Sequence, residues 1–209
     1  MPTLELGVLV SGNGSNLQAI LDACQVGRLD ARVRVVLSNV ADARALDRAR
    51  SAGVPAVCVP HRDYADREVF EEAVSAALTE AGVEWIVLAG FMRVLTPGFL
   101  KRYEGRIVNI HPALLPSFPG VHGPRQAVRY GAKISGCTVH FVDEGVDTGP
   151  IIAQRAVAVR DDDDEDALAQ RILREEHALL VEVLSWIAAG RVSIVERPGN
   201  RPLVKIRQA

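Results

Sequence analysis

Asn109 and His111 stand two residues apart in Ile107-Val108-Asn109-Ile110-His111-Pro112. On a strand that spacing puts both side chains on one face, with Val108 and Ile110 on the other. Pro112 has no backbone N–H to donate, so the strand pairing stops there. An amide and an imidazole side by side at a strand end can hold a reacting carbonyl and its proton. The plainer alternative is a polar pair that only caps the strand.

A second group of polar residues follows the first apolar run. Leu6-Gly7-Val8-Leu9-Val10 leads into Ser11-Gly12-Asn13-Gly14-Ser15-Asn16 and then into a helical pattern from Leu17. A glycine-rich turn between strand and helix aims backbone N–H groups at an anion held by the helix N-terminus. A dinucleotide site would want a third glycine where Leu17 stands. It would also want an acidic residue near the end of the second strand, where this chain has Ser38-Asn39. Ser11, Asn13, Ser15 and Asn16 instead add neutral donors, which suits one phosphate monoester on a sugar. The competing reading is a tight turn capped by Ser15.

The elements that must position these groups alternate between strand and helix. Strands are expected at 6–10, 33–37, 56–59, 85–89 and 107–110. Between them lie a helix to about Cys24, one capped by Asp42 to about Ala52, one capped by Asp66 to about Glu80, and one started by Thr96-Pro97. Such alternation predicts a mostly parallel sheet with right-handed crossovers. The pattern changes after Pro112. Residues 113–134, with Pro116, Pro119, Gly120, Gly123 and Pro124, read as a long irregular loop in which Leu115-Pro116 could be cis. Then 137–142 and 151–159 predict an antiparallel pair. The acidic run Asp161 to Asp166 suits a helix N-terminus and a helix to about Ala189. A closing hairpin is expected around Pro198-Gly199-Asn200.

Composition narrows the classes of function. The 209 residues suit one domain, expected as 1–106 for nucleotide and phosphate binding and 107–209 for catalysis and cosubstrate binding. A net charge of −2 argues against a nucleic-acid or anionic-membrane surface. Cys24, Cys58 and Cys137 form no C-x-x-C, so free thiols in a reducing cytoplasm are expected rather than disulfides or a zinc site. No stretch is long and apolar enough for a membrane helix, and the start carries no signal-peptide pattern.

Four stretches together resemble the folate-dependent formyltransferase family: Val10 to Ile20, Leu88 to Leu95, Asn109 to Pro116, and Gly136 to Val142 with Asp147-Thr148-Gly149-Pro150-Ile151. The S-G-N-G-S-N opening is similar to the branch that formylates glycinamide ribonucleotide. The resemblance implies a Rossmann-like domain and transfer of the formyl group of 10-formyltetrahydrofolate, a cosubstrate rather than a tightly bound cofactor. It implies Asn109, His111 and Asp147 as the catalytic set. It also implies substrate contacts at Gly12, Asn13, Gly14, Ser15, Asn16 and Glu176. A folate cleft follows from Arg67, Met92, Arg93, Val94, Leu95, Asn109, Asp143, Glu144, Gly145, Val146 and Asp147. No metal is implied. The expected partners are the two small molecules, in a monomer or homodimer, without nucleic acid or membrane.

The chemistry agrees with that set. An amine attacking a formyl carbon builds an oxyanion, which the Asn109 amide and a His111 ring nitrogen can stabilise. A carboxylate beside His111 is expected to raise its pKa and orient its ring, and Asp147 is the candidate, although D-x-G alone is also a common turn. His140 reads as structural, on an apolar strand, and His61, His122 and His177 receive no role. The alternatives are a formyl-folate hydrolase, a transferase acting on initiator tRNA, a nucleotide-binding regulatory module and a nicotinamide oxidoreductase. The first two would be expected to carry an extra domain. The third would not need Asn109, His111 and Asp147 together, and Leu17 with Ser38-Asn39 disfavours the fourth.

Overall fold

The computed structural model describes residues 3–208. These form two compact units that divide between Val108 and Asn109. The architecture is α/β and Rossmann-like, a mostly parallel sheet with helices and an antiparallel C-terminal portion.

The first unit holds β1 (Leu4–Val10), β2 (Ala31–Ser38), β3 (Ala56–Cys58) and β4 (Trp85–Leu88), in the order β3-β2-β1-β4. The pairings of β1 with β2, β1 with β4, and β2 with β3 are all parallel. Each parallel step needs a crossover. The helices α1 (Ser15–Gln25), α2 (Arg44–Ser51) and α3 (Arg67–Glu80) supply them. The continuous apolar run of β1 is buried on both faces, as a covered parallel strand must be. Phe70, Val74 and Leu78 of α3 recur at helical spacing and are buried together. A short α4 (Pro97–Arg102) follows. Thr96 caps it by accepting from the Phe99 N–H, and buried Glu71 accepts in turn from the backbone N–H of Thr96 at 2.9 Å. Strand β5 (Ile107–His111) runs across the division.

The second unit holds α5 (Gly123–Tyr130), the antiparallel pair β6 (Ile134–Phe141) and β7 (Ile151–Ala158), the long α6 (Glu165–Ala188), and the hairpin β8 (Val192–Arg197) with β9 (Asn200–Ile206). Leu168, Ile172, Leu179, Leu180, Val183, Leu184 and Ile187 form the buried stripe of α6, which packs on β6 and β7. The acidic run serves structure. Asp164 caps α6 by accepting from the Ala167 N–H at 2.8 Å, and Asp163 pairs with Arg171.

Two expectations are corrected, and one competing reading falls. Residues 113–134 are not irregular throughout, because Gly123-Pro124 open α5 and Gly131, at φ 77°, closes it. Proline is tolerated in a helix's first turn, so the density of Pro and Gly there masked the helix. Asp42 does not cap α2, which starts behind Ala43 with no side-chain cap. The Ala45 N–H, an orphan donor of that first turn, is taken by the Gly12 carbonyl at 3.1 Å. Nor does Ser15 cap α1, whose N-cap is Gly14 in the left-handed region. The Leu115-Pro116 bond is cis.

The capping assignments have a direct test. Asp66 accepts from the Val69 N–H at 2.9 Å, so Asp66→Ala is expected to lower unfolding free energy by about 0.5–2 kcal/mol. Asp42→Ala is expected to leave it near wild type. Denaturant titration of the two variants makes the comparison.

Candidate functional site

In the first unit the polar groups gather where β1 and β4 end. Neighbouring parallel strands whose connections leave in opposite directions open a crevice at their C-terminal ends, and α/β sheets bind ligands there. The Ser11 N–H donates to the Gly90 carbonyl at 3.0 Å. Ser11 Oγ donates to Asn39 Oδ1 at 2.6 Å and accepts from the Met92 N–H at 2.8 Å. Asn39 Nδ2 lies 3.2 Å from His61 Nδ1. Asn39, standing where a dinucleotide site would have a carboxylate, therefore braces the turn. Gly14, at φ 74°, packs against α2, and a Cβ there would lie 2.5 Å from the Ala45 Cβ. A Cβ on Gly12 would meet nothing within 4 Å, so an anion can approach that backbone.

Residues 13 and 48 form a contact the sequence did not suggest. Arg48 Nε donates to the Asn13 carbonyl at 2.8 Å and Nη2 to Asn13 Oδ1 at 3.1 Å. Of the other first-unit residues, Met92 and Val94 are exposed, Leu95 is buried, and Arg67 is exposed at the first turn of α3. Arg93 Nε is shut from solvent without a hydrogen-bond partner among the described residues.

The second unit brings Asn109, His111 and Asp147 together and adds His140. Asp147 Oδ2 lies 3.2 Å from His111 Nδ1, and Oδ1 lies 3.6 Å from His140 Nε2. Asn109 Nδ2 is 3.1 Å from His140 Nε2 and 3.5 Å from Asp147 Oδ1. His140 Nδ1 faces the Phe141 carbonyl at 2.8 Å, which can only accept, so that nitrogen carries the proton. With its proton on Nδ1, His140 can accept from the Asn109 amide through Nε2. By the same argument His111 Nε2 donates to the Phe118 carbonyl at 2.9 Å, and its Nδ1 is turned to Asp147. The Gly120 N–H donates to Asp147 Oδ2 at 2.7 Å. Both ring nitrogens of His111 are thus engaged, and residues 118–120 serve His111 and Asp147 at once.

The sequence points to a structural role for His140, because it lies in an apolar strand, and the structure places it in the cluster instead. The β6–β7 register shifts between Val139 and His140. The extra residue is Ile152 on β7, so β6 keeps its alternation and His140 shares a face with Thr138. The available signal was a histidine interrupting a buried strand just before a D-x-G loop.

The loop that carries Asp147 is tightly built. Asp143 Oδ1 accepts from Thr148 Oγ1 at 2.6 Å and from the Gly145 N–H at 3.2 Å. A Cβ on Gly149 would lie 1.8 Å from the Phe141 carbonyl oxygen, so only glycine fits. Asp147, Phe118 and His122 have φ of 54°, 56° and 62°. Each left-handed non-glycine residue costs about 1–3 kcal/mol and persists only where its surroundings hold it. Val146 is exposed, with Glu144 and Gly145 beside it. Glu176 is buried on α6. His122, the N-cap of α5, and Arg125 within it both face Glu165, at 3.7 and 2.6 Å.

Electrostatics divides the cluster. Burial pushes the Asp147 carboxyl up, but His140, the Gly120 N–H and His111 together outweigh it and hold it below its ordinary 3.8. At 3.6 Å the His140 contribution is electrostatic rather than a hydrogen bond. Burial lowers His111 from its ordinary 6.5, against the pull of Asp147 and Phe118, and His140 lowers it further. At neutral pH an anionic carboxylate therefore faces a neutral imidazole, and one further proton has a defined place between them. Burial pushes the Cys24 thiol up to about 11, and burial with the Glu176 charge pushes Cys137 up to about 12. Thiols this weakly acidic are poor nucleophiles. Cys24 and Cys58 are half-buried and Cys137 is buried, all free. Among the described residues no three His, Cys, Asp or Glu side chains are placed to hold a metal ion.

Comparison with known proteins points one way. The sequence profile described as formyl transferase matches residues 5–184. Phosphoribosylglycinamide formyltransferase of Escherichia coli (strain K12) is 44% identical over 193 residues, covering 92% of this chain and 91% of that protein. Trifunctional purine biosynthetic protein adenosine-3 of Drosophila melanogaster is 49% identical over 90% of this chain, which spans only 14% of that protein's length. The crystal structure of glycinamide ribonucleotide transformylase 1 from Symbiobacterium toebii superposes with a TM-score of 0.94 at 47% identity, covering 99% of this chain and 95% of that one.

The His111 shift carries a sign for stability. Its folded value lies below 6.5, so the unfolded chain binds the proton first as pH falls. The stability this burial contributes is complete above 6.5 and is lost as pH drops from there through the folded value. The melting temperature is therefore expected to fall between pH 7 and 5.5, and His111→Gln to shrink that fall. Some will remain, because burial lowers His177 in the same way. Thermal melts of both proteins at the two pH values check it; an unchanged pH dependence in the variant would contradict the assignment.

Proposed function

The chain belongs to the formyl transferase family, and from that premise we propose that it moves the formyl group of 10-formyltetrahydrofolate to the amino group of glycinamide ribonucleotide. The observation that carries the reading is the buried cluster of Asn109, His111, His140 and Asp147, with the carboxylate kept ionised beside a neutral imidazole. The Escherichia coli relative, matched over nearly its whole length, supports the choice of acceptor.

The reaction needs two things from such a cluster. As the amine nitrogen bonds to the formyl carbon, the carbonyl electron pair moves onto oxygen. N–H donors at that oxygen are worth about 3–4 kcal/mol each in comparable sites. Asn109 and His111 are the donors proposed. The 3.5 Å bond from Asn109 to Asp147 is the weaker of its two and the one to exchange. His111 Nε2 becomes available when the Phe118 carbonyl releases it. That makes movement of residues 118–120 part of the catalytic cycle, a gating role expected of loops over buried sites.

Protons must also move. The amine loses one as its bond forms, and the folate nitrogen gains one as its bond to the formyl carbon breaks. Asp147, through a bound water, is proposed to carry it. Its low pKa keeps it ready to accept, and the strained, closely packed loop keeps it aimed.

The remaining roles are those that the family resemblance implies. Gly12, Asn13, Gly14, Ser15 and Asn16 take the ribonucleotide phosphate, and Glu176 takes the glycinamide end. Arg67, Met92, Arg93, Val94 and Leu95, with Asn109 and Asp143 to Asp147, take the folate. Within the first unit, the exposed apolar side chains of Met92 and Val94 support that assignment. Residues 1–106 would be the nucleotide half and 107–209 the catalytic half of one formyltransferase domain. We place the enzyme in the cytoplasm as a monomer or homodimer acting on small molecules, with folate as cosubstrate, no tightly bound cofactor, and neither nucleic acid nor membrane as partner. Its three free thiols fit a reducing compartment.

Assay of the purified protein with both substrates is expected to give formylated ribonucleotide, whereas release of free formate would mark a hydrolase instead. Asp147→Asn is expected to cut turnover about 10²–10⁴-fold, the range for loss of a positioned proton-transfer group. Near-normal turnover would remove Asp147 from the mechanism.

A further inference from the structure

Arg48 lies outside every residue assigned above, yet it makes three hydrogen bonds around the glycine-rich turn. Nε and Nη2 hold the Asn13 carbonyl and Asn13 Oδ1, at 2.8 and 3.1 Å. Nη1 donates to Gln18 Oε1 at 3.1 Å. The Gln18 amide is itself fixed at its other end, donating from Nε2 to Asp22 Oδ1 at 2.8 Å. Arg48 projects from α2, whose Ala45 N–H holds the Gly12 carbonyl and whose Ala45 Cβ packs against Gly14. One helix thus grips the turn at residues 12, 13 and 14.

The consequence is a matter of polarity. An asparagine amide has an accepting end and a donating end, and it can turn either one to a ligand. A carbonyl turned toward an anion repels it. Here both oxygens of Asn13, backbone and side chain, are turned to one guanidinium, which leaves the NH₂ as the end the side chain has to offer. The planar fork of arginine suits two oxygens at once, and a lysine ammonium does not.

We propose that Arg48 is a positioning residue for the phosphate turn, orienting Asn13 so that its amide offers donors rather than a carbonyl to the anion. The inference rests on the phosphate reading of Gly12 to Asn16. Arg48 sets the polarity of the turn by holding both Asn13 oxygens, so its charge alone does not account for its effect.

Titration with ribose 5-phosphate, followed by calorimetry, separates the possibilities. Arg48→Met is expected to weaken binding about tenfold, the loss of one hydrogen bond to a charged group. Arg48→Lys is expected to be as weak as Arg48→Met. Combining Arg48→Met with Asn13→Ala is expected to weaken binding no further than Asn13→Ala alone, because both remove the same oriented amide. Wild-type affinity in Arg48→Lys would overturn the proposal in favour of charge alone. Effects that multiply in the double variant would overturn it in favour of independent roles. A melting temperature in each variant within a few degrees of wild type excludes simple unfolding. If wild-type protein itself does not bind ribose 5-phosphate, the phosphate reading fails, and this proposal with it; if it binds and Arg48→Met binds equally well, only the role of Arg48 fails.

Discussion

The Asp147 carboxylate is the group on which the rest of the second unit turns. It faces two imidazoles and an amide and accepts one backbone N–H. A carboxylate this enclosed would ordinarily take up a proton, since burial disfavours its charge. Its neighbours reverse that outcome and hold it ionised. Burial then acts on His111 with nothing strong enough to offset it, and the imidazole stays neutral. The pair is left one proton short, which is the condition a group that accepts and returns a proton must satisfy.

Maintaining that condition requires unusual backbone. Asp147 adopts a left-handed conformation, as does Phe118, whose carbonyl holds His111. Neither conformation is favoured by its residue type, so packing must impose it. Gly149 supplies the close approach to the Phe141 carbonyl, and Asp143 knots the loop through Thr148 and Gly145. Thr138 does related work under the 113–115 segment, donating to the Ala113 carbonyl and accepting from the Leu115 N–H. The first unit follows the same logic in a different place. A chain from Met92 through Ser11 to Asn39 fixes the strand ends, and α2 fixes the glycine-rich turn. In both units the reactive or binding groups sit on segments held by hydrogen bonds to their neighbours, and release of His111 by the Phe118 carbonyl is the reorganisation the proposed cycle requires.

What could be read in the sequence was whatever depends on local pattern. The i, i+2 relation of Asn109 and His111 survives because a strand alternates. The caps at Asp66 and Thr96 follow from chemistry within four residues. The closing hairpin around Pro198-Gly199-Asn200 follows from its turn residues. What could not be read depends on a partner from elsewhere in the chain. Asp42 lost its capping role because a carbonyl from Gly12 satisfies the helix instead. His140 enters the cluster through Asn109 and Asp147, which only the fold brings to its ring. Arg48 is one of several arginines on a short polar helix, and only its fold neighbours distinguish it. Helix α5 was hidden by a composition that suits turns and helix starts alike.

The central claim is that Asp147 is ionised although it is enclosed, and that His111 and its other neighbours make it so. A carbon-detected NMR titration of the Asp147 carboxyl in the folded protein tests this most directly. The account predicts a midpoint below 3.8 in the wild type, moving upward in the His111→Gln protein, because the electrostatic contribution of His111 to holding the carboxylate is removed. A wild-type midpoint above 3.8, with no change on His111→Gln, would contradict it.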